Sequence, residues 1–111
     1  MDQSLAFQKT YEFYKELYTT LRQISKRDRF TWGERCETMA LDLLRAIAKT
    51  NYAAKMKRRA LLTEASDLLD MLKLYIRLGH DLKIINPQKY LARQAELQEI
   101  GKLVGGWLRI A

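Results

Sequence analysis

The chain predicts an all-α fold, an up-down-up-down antiparallel four-helix bundle, and three observations predict it. Apolar residues recur at steps of three and four through four segments of roughly twenty residues each. The residue mix is rich in Leu, Ala, Lys, Arg, Glu and Gln, with one proline in 111 residues, which favours helix. The connections between segments are short, and helices joined by short loops pack as antiparallel neighbours. A single domain over residues 1-111 is expected, with helices about 4-24, 32-50, 55-80 and 87-109.

In the first helix Phe7, Tyr11, Tyr14, Tyr18 and Leu21 share one face, widened by Phe13, Leu17 and Ile24. Gln8, Glu12, Lys15, Glu16, Thr19, Arg22 and Gln23 lie opposite. Residues 25–30 are a polar, basic connection. Thr31-Trp32-Gly33-Glu34 reads as a capping box, with Phe30 as the staple residue before it. The second helix then buries Cys36, Met39, Ala40, Leu43, Leu44 and Ile47.

Residues 51–54 form a short connection or kink into the third helix. There Leu61, Ala65, Leu68, Leu69, Leu72, Tyr75, Ile76 and Gly79 make one face, and Met71, Leu74, Leu78 and Leu82 extend it along a flank. The apolar arc is roughly 240°, against the ~100° stripe of a surface helix. This helix is expected to be central to its fold or covered on a second side by another subunit. Asn86 suits an N-cap and Pro87 the first turn of a fourth helix. Its stripe is Tyr90, Leu97, Ile100, Val104, Trp107 and Leu108.

The end of that helix carries Gly101, Gly105 and Gly106 beside Trp107. A helical Gly costs about 1 kcal/mol relative to Ala. Gly105 and Gly106 are therefore expected where the backbone approaches another backbone or the helix ends. Trp107 is expected to fill a nearby apolar pocket, in the core or between subunits. With Met71, Leu74, Leu78 and Leu82, these three residues form the candidate oligomer interface.

Apolar content is 48%, enough for one modest core. No run of apolar residues is long enough to span a membrane, and Met1-Asp2-Gln3-Ser4 lacks the basic start and apolar run of a signal peptide. Cys36, the single cysteine, reads as a small core residue in a reducing cytoplasm, so a cytoplasmic location is expected. The net charge of +7 favours an anionic partner, nucleic acid first. Catalytic signals are poor. The single histidine, His80, cannot make a zinc site with one distant cysteine. It is expected to offset the dipole at the end of its helix, and Asp81, its sequence neighbour, is not at pairing distance on a helix. No Glu-x-x-His pair is present for a di-iron site. The glycines of the tail follow no strand and close on no Lys-Ser/Thr, so they are not a phosphate loop. No enzyme activity, metal or cofactor is expected.

Basic groups are more organised. Lys26, Arg27 and Arg29 cluster in the first connection, and Lys55, Lys57, Arg58 and Arg59 open the third helix. Cations there oppose the helix dipole, at up to ~1 kcal/mol each, which suggests another use such as phosphate contact. Lys73 and Arg77, with Arg59, Thr63, Ser66, Asp70 and His80, form a polar stripe that can follow a nucleic-acid backbone. It reads equally as a solvated face with Asp70–Lys73 and Asp70–Arg77 contacts. These nine cations are the candidate nucleic-acid-binding residues.

Residues 29–35 (Arg-Phe-Thr-Trp-Gly-Glu-Arg), 40–44 (Ala-Leu-Asp-Leu-Leu), 77–82 (Arg-Leu-Gly-His-Asp-Leu) and 105–108 (Gly-Gly-Trp-Leu) occur in one order that resembles the accessory variability determinant (Avd) proteins of diversity-generating retroelements. Those are related in fold to the four-helix proteins of ribosomal RNA intervening sequences. The resemblance covers roughly residues 26 to 110; the first helix matches weakly and Gly79 replaces an expected Ala. It implies a basic four-helix bundle assembled as a homopentamer. It also implies binding to the element's reverse transcriptase and to RNA or DNA, in support of mutagenic cDNA synthesis, without catalysis. The alternative it leaves is a structural oligomeric bundle of the intervening-sequence type, with no defined nucleic-acid role.

Overall fold

The computed structural model describes residues 3–111; Met1 and Asp2, the start of the stretch read as lacking a leader, lie outside the described residues. Four helices and, among the described residues, no strand make an all-α four-helix bundle, as the periodicity predicts. Helix α1 spans Gln3–Arg22. Helix α2 runs over residues 26–50 as Lys26–Asp28, a wide π turn Arg29–Gly33 and Glu34–Thr50. Helices α3 and α4 span Lys55–Asp81 and Pro87–Ile110. Each helix packs on the next and α4 closes on α1, giving a rod 43 × 22 × 19 Å. The α1–α2 and α3–α4 connections therefore share one end, and the α2–α3 connection lies at the other.

Helix α2 begins earlier than its sequence suggests. Ser25 is the N-cap: its hydroxyl accepts from the Asp28 amide at 3.2 Å and donates to the Asp28 carboxylate at 3.0 Å. Thr31 caps nothing. It lies inside the helix, its hydroxyl donating back to Arg27 O at 3.1 Å, and Phe30 is exposed rather than stapled. The π turn, with i→i+5 hydrogen bonds, takes up an extra residue and turns both Trp32 and Gly33 inward. Trp32 lies against α3 at Gly79, where any Cβ would overlap its ring. Its indole N–H donates to Tyr75 O at 2.7 Å.

The core is Phe13, Leu17, Leu21, Leu43, Ile47, Leu62, Leu72, Ile76, Leu97, Ile100 and Trp107 with smaller residues between them. The α1 stripe is rotated from its expected position. Ala6, Thr10 and Thr20 are buried while Tyr11 and Tyr18 are about half exposed. The threonines enter the core because each hydroxyl bonds back to a carbonyl one turn earlier, Thr10 to Ala6 O and Thr20 to Glu16 O. The two tyrosine rings instead meet cations at the surface, Lys15 at 5.6 Å from the Tyr11 centroid and Arg22 at 3.9 Å from that of Tyr18. Arg93 is the other surprise, 5% exposed on the apolar stripe of α4. Its guanidinium donates to both Glu96 carboxylate oxygens at 2.7 and 3.1 Å, to Thr20 Oγ1 at 2.9 Å and to Glu16 O at 3.2 Å. It joins α4 to α1.

At the end of α3, Ile84 N–H bonds to Gly79 O at 2.8 Å and Lys83 N–H to His80 O at 3.0 Å. This is a Schellman closure, with Lys83 at φ 62° in the left-handed position that glycine usually takes. Asn86 accepts from the Lys89 amide at 2.8 Å and Pro87 opens α4, as the sequence predicts.

The glycines separate into two kinds. Gly79 is required by close approach. A Cβ at Gly105 would meet nothing within 4 Å, and one at Gly101 only the end of Lys73, so the expected backbone contact at Gly105 is absent within the chain. Gly79→Ala is expected to destabilise the fold by about 1–3 kcal/mol through overpacking against Trp32. Gly105→Ala is expected to gain up to about 1 kcal/mol in the helix. Trp107→Ala, which empties a core position, is expected to cost about 3–5 kcal/mol. Urea unfolding of the three variants beside the parent checks all three signs.

Candidate functional site

The nine cations singled out from the sequence do not form one surface. Lys26, Arg27, Arg29 and Arg77 stand at the end that holds the α1–α2 and α3–α4 connections, and Lys55, Lys57, Arg58 and Arg59 at the other. About 30 Å of helix separates Lys57 from Arg77, at 1.5 Å per residue. Lys73 lies between, its Nζ 3.6 Å from the place a Gly101 Cβ would occupy.

Two of the nine are turned into the protein. Arg29 donates to Ile24 O at 3.4 Å and Arg58 to Ala53 O at 3.3 Å. The Nε of each is buried without a protein partner. These arginines brace the corners that precede and follow α2. Arg59 reaches the last turn of α4 and donates to Leu108 O at 3.4 Å, a placement that also suits the negative end of that helix dipole. Arg27 sits 3.6 Å from Asp28 and Arg77 3.9 Å from Asp81. Neither contact offered for Asp70, to Lys73 or to Arg77, forms. Among the described residues Lys26, Lys55, Lys57 and Lys73 have no carboxylate partner within 4 Å. Lys83 and Lys89, which the sequence reading passed over, are likewise unpaired. Only the antiparallel topology places them beside Lys26 and Arg27.

The candidate interface also divides. Met71, Leu74, Leu78 and Leu82 are 43, 55, 42 and 60% exposed, a continuous apolar flank about 16 Å long at 1.5 Å per residue. It lies on the α2 side of α3, beside an open groove lined by Phe30, Trp32, Glu34, Arg35, Met39 and Tyr75. Trp107 takes the core alternative, 1% exposed within its own chain. Gly105 and Gly106 are half-buried, on a different helix from that flank.

Among the described residues no three His, Cys, Asp or Glu side chains come close enough to hold a metal. His80 stacks on Tyr90 with ring centroids 4.5 Å apart. Its Nδ1 does reach Asp81, at 3.3 Å, despite their being sequence neighbours. The pair lies at the surface. Burial pushes the Cys36 thiol up to about 12. Burial likewise raises the Glu96 carboxyl, against the downward pull of Arg93. No helix among the described residues is long and apolar enough to cross a membrane.

Comparison with known families places this basic four-helix bundle. A family model described as bAvd-like matches residues 4–111. The chain belongs to the bAvd-like family. No curated protein matches it. The bAvd-like match takes in α1, beyond the span from about 26 to 110 on which the resemblance rests. The bAvd-like family is one of accessory, non-catalytic proteins, the accessory variability determinants of diversity-generating retroelements. In this bAvd-like chain the cysteine should be inert while the fold stands, because the thiolate is the reactive form. Iodoacetamide at neutral pH is expected to leave Cys36 unmodified in the native protein and to alkylate it in denaturant. Mass spectrometry of the intact chain reads the difference, and rapid native labelling would contradict the core placement.

Proposed function

We propose that this chain is the accessory subunit of a diversity-generating retroelement that binds the element's reverse transcriptase and nucleic acid, and that it supports mutagenic cDNA synthesis without catalysing a step. The observation that carries this reading beyond the family is the set of exposed, unpaired cations at the ends of the bundle. Lys26, Lys55, Lys57, Lys83 and Lys89 hold no carboxylate among the described residues, and Arg27 and Arg77 hold theirs only at 3.6 and 3.9 Å in exposed positions. Exposed pairs of that kind are worth little and yield readily to phosphate. No base-reading motif accompanies them, so phosphate contacts dominate and sequence preference is weak.

The flank formed by Met71, Leu74, Leu78 and Leu82 is where the chain self-associates, as a homopentamer in this reading. Stripes of this sort on a small protein mark association surfaces. Assembly multiplies the basic ends around a ring and raises affinity through effective concentration.

The test has three readouts. Fluorescence anisotropy with RNA and DNA is expected to show tight binding at low salt. The slope of log K against log salt should be about −0.7 per phosphate on single strands and about −0.9 on duplex. Light scattering is expected to give five times 13.1 kDa, and Leu78→Glu to reduce that mass. The cognate reverse transcriptase is expected to co-purify with the tagged chain. A protein that self-associates but binds no nucleic acid at low salt is instead a structural bundle of the intervening-sequence type.

A further inference from the structure

Resting on the nucleic-acid reading proposed above, we infer that the chain has two separate phosphate-binding ends and an acidic middle that keeps nucleic acid from lying along the bundle. The charges of the folded chain fall in three bands. No acidic residue occurs between Asp42 and Glu64, the stretch that forms the α2–α3 end. Lys49, Lys55 and Lys57 stand there, and the Arg59–Leu108 contact brings Arg109 to the same place. Tyr52, 92% exposed among these cations, adds an aromatic face on which a base can stack.

The opposite end gathers Lys26, Arg27, Arg77, Lys83 and Lys89, with only Asp28 and Asp81 as local carboxylates. Lys83 is the informative member. Its left-handed backbone is one that glycine adopts at no steric cost, yet the chain carries a long cation there. The strain is consistent with an ammonium group held at that corner for use.

Between the ends the sign reverses. Glu12 and Glu16 on α1, Glu64, Asp67 and Asp70 on α3 and Glu99 on α4 form the belt. Two of its lysines are engaged, Lys9 with Glu99 at 3.0 Å and Lys15 with Glu12 at 3.5 Å, and Lys73 stands alone among the carboxylates of α3. The ends lie about 30 Å apart by helix rise. The Debye length at physiological salt is about 8 Å. The two ends therefore act as independent patches rather than one track, and a polyanion crossing the belt meets repulsion. Each end takes its own segment of nucleic acid across the tip of the rod.

Lysine acylation footprinting of the full-length protein tests this, with and without a short single-stranded RNA at low salt, read by mass spectrometry. Comparison of the same assembly with and without RNA cancels any protection due to self-association. Lys26, Lys83 and Lys89 at one end and Lys55 and Lys57 at the other are expected to lose reactivity several-fold. Lys9, Lys15 and Lys73 are expected to be unchanged. Lys83→Gly is expected to unfold at a higher temperature than the parent yet to leave Lys26 and Lys89 less protected, while Lys55 and Lys57 keep their protection. Protection running through Lys73, or confined to one end, overturns the two-ended arrangement and leaves nucleic-acid binding standing. Absence of RNA binding at low salt overturns the nucleic-acid reading and this inference with it.

Discussion

The seating of Trp32 against Gly79 is the contact on which the arrangement of this bundle turns. An indole cannot approach a helix backbone this closely unless the facing residue lacks a side chain, and Gly79 supplies that absence. The ring is then fixed by its bond to Tyr75 O, which among the described residues is the hydrogen bond that crosses from α2 to α3. A regular helix from Ser25 onward would carry Trp32 away from this seat. The π turn over Arg29–Gly33 supplies the extra residue that brings it back. The same turn leaves Phe30 on the surface and opens the groove beside it. Packing in the interior and the exposed groove beside it are thus settled by one local irregularity.

That irregularity explains where the sequence was legible and where it was not. The apolar steps of three and four located every helix, because burial of a stripe is what holds such helices in place. Asn86-Pro87 marked the start of α4 because cap chemistry and backbone geometry agree there. At the start of α2 two cap signals compete. Ser25-x-x-Asp28 and Thr31-x-x-Glu34 are equally good locally, and the packing of Trp32 on a helix forty residues away decides between them. The α1 stripe was misplaced for a related reason. A hydropathy wheel rewards tyrosine and penalises threonine, whereas a helix lets threonine satisfy its hydroxyl on its own backbone and go inside. Arg93 is the converse case, a cation in phase with Leu97, Ile100 and Val104. Its periodicity pointed inward, and its charge is held there by Glu96, Thr20 and Glu16.

The candidate site was half legible. Which residues are cationic is plain from the sequence, and so is the wide apolar arc of α3, whose outer flank stands uncovered in a single chain. Which cations are free to act is a tertiary property. Arg29 and Arg58 look the same as their neighbours in the sequence, but each is drawn back to a carbonyl at a corner. Lys83 and Lys89 enter only because an antiparallel bundle returns them to the end where α2 begins. Membership of the bAvd-like family adds a role that neither periodicity nor geometry supplies.

The banding of charge also bears on how copies of the chain meet in solution. A rod with basic tips and an acidic waist offers its own kind one electrostatic contact, tip against waist, set against the overall repulsion of a +7 chain. That attraction weakens as salt screens it. Burial of Met71, Leu74, Leu78 and Leu82 against a neighbour gains nothing from low salt and is strengthened by strongly excluded salts such as sulfate. Ionic strength therefore separates the two kinds of contact. Contacts between opposite charges fade as salt is added, whereas an apolar contact of the kind proposed for the α3 flank persists.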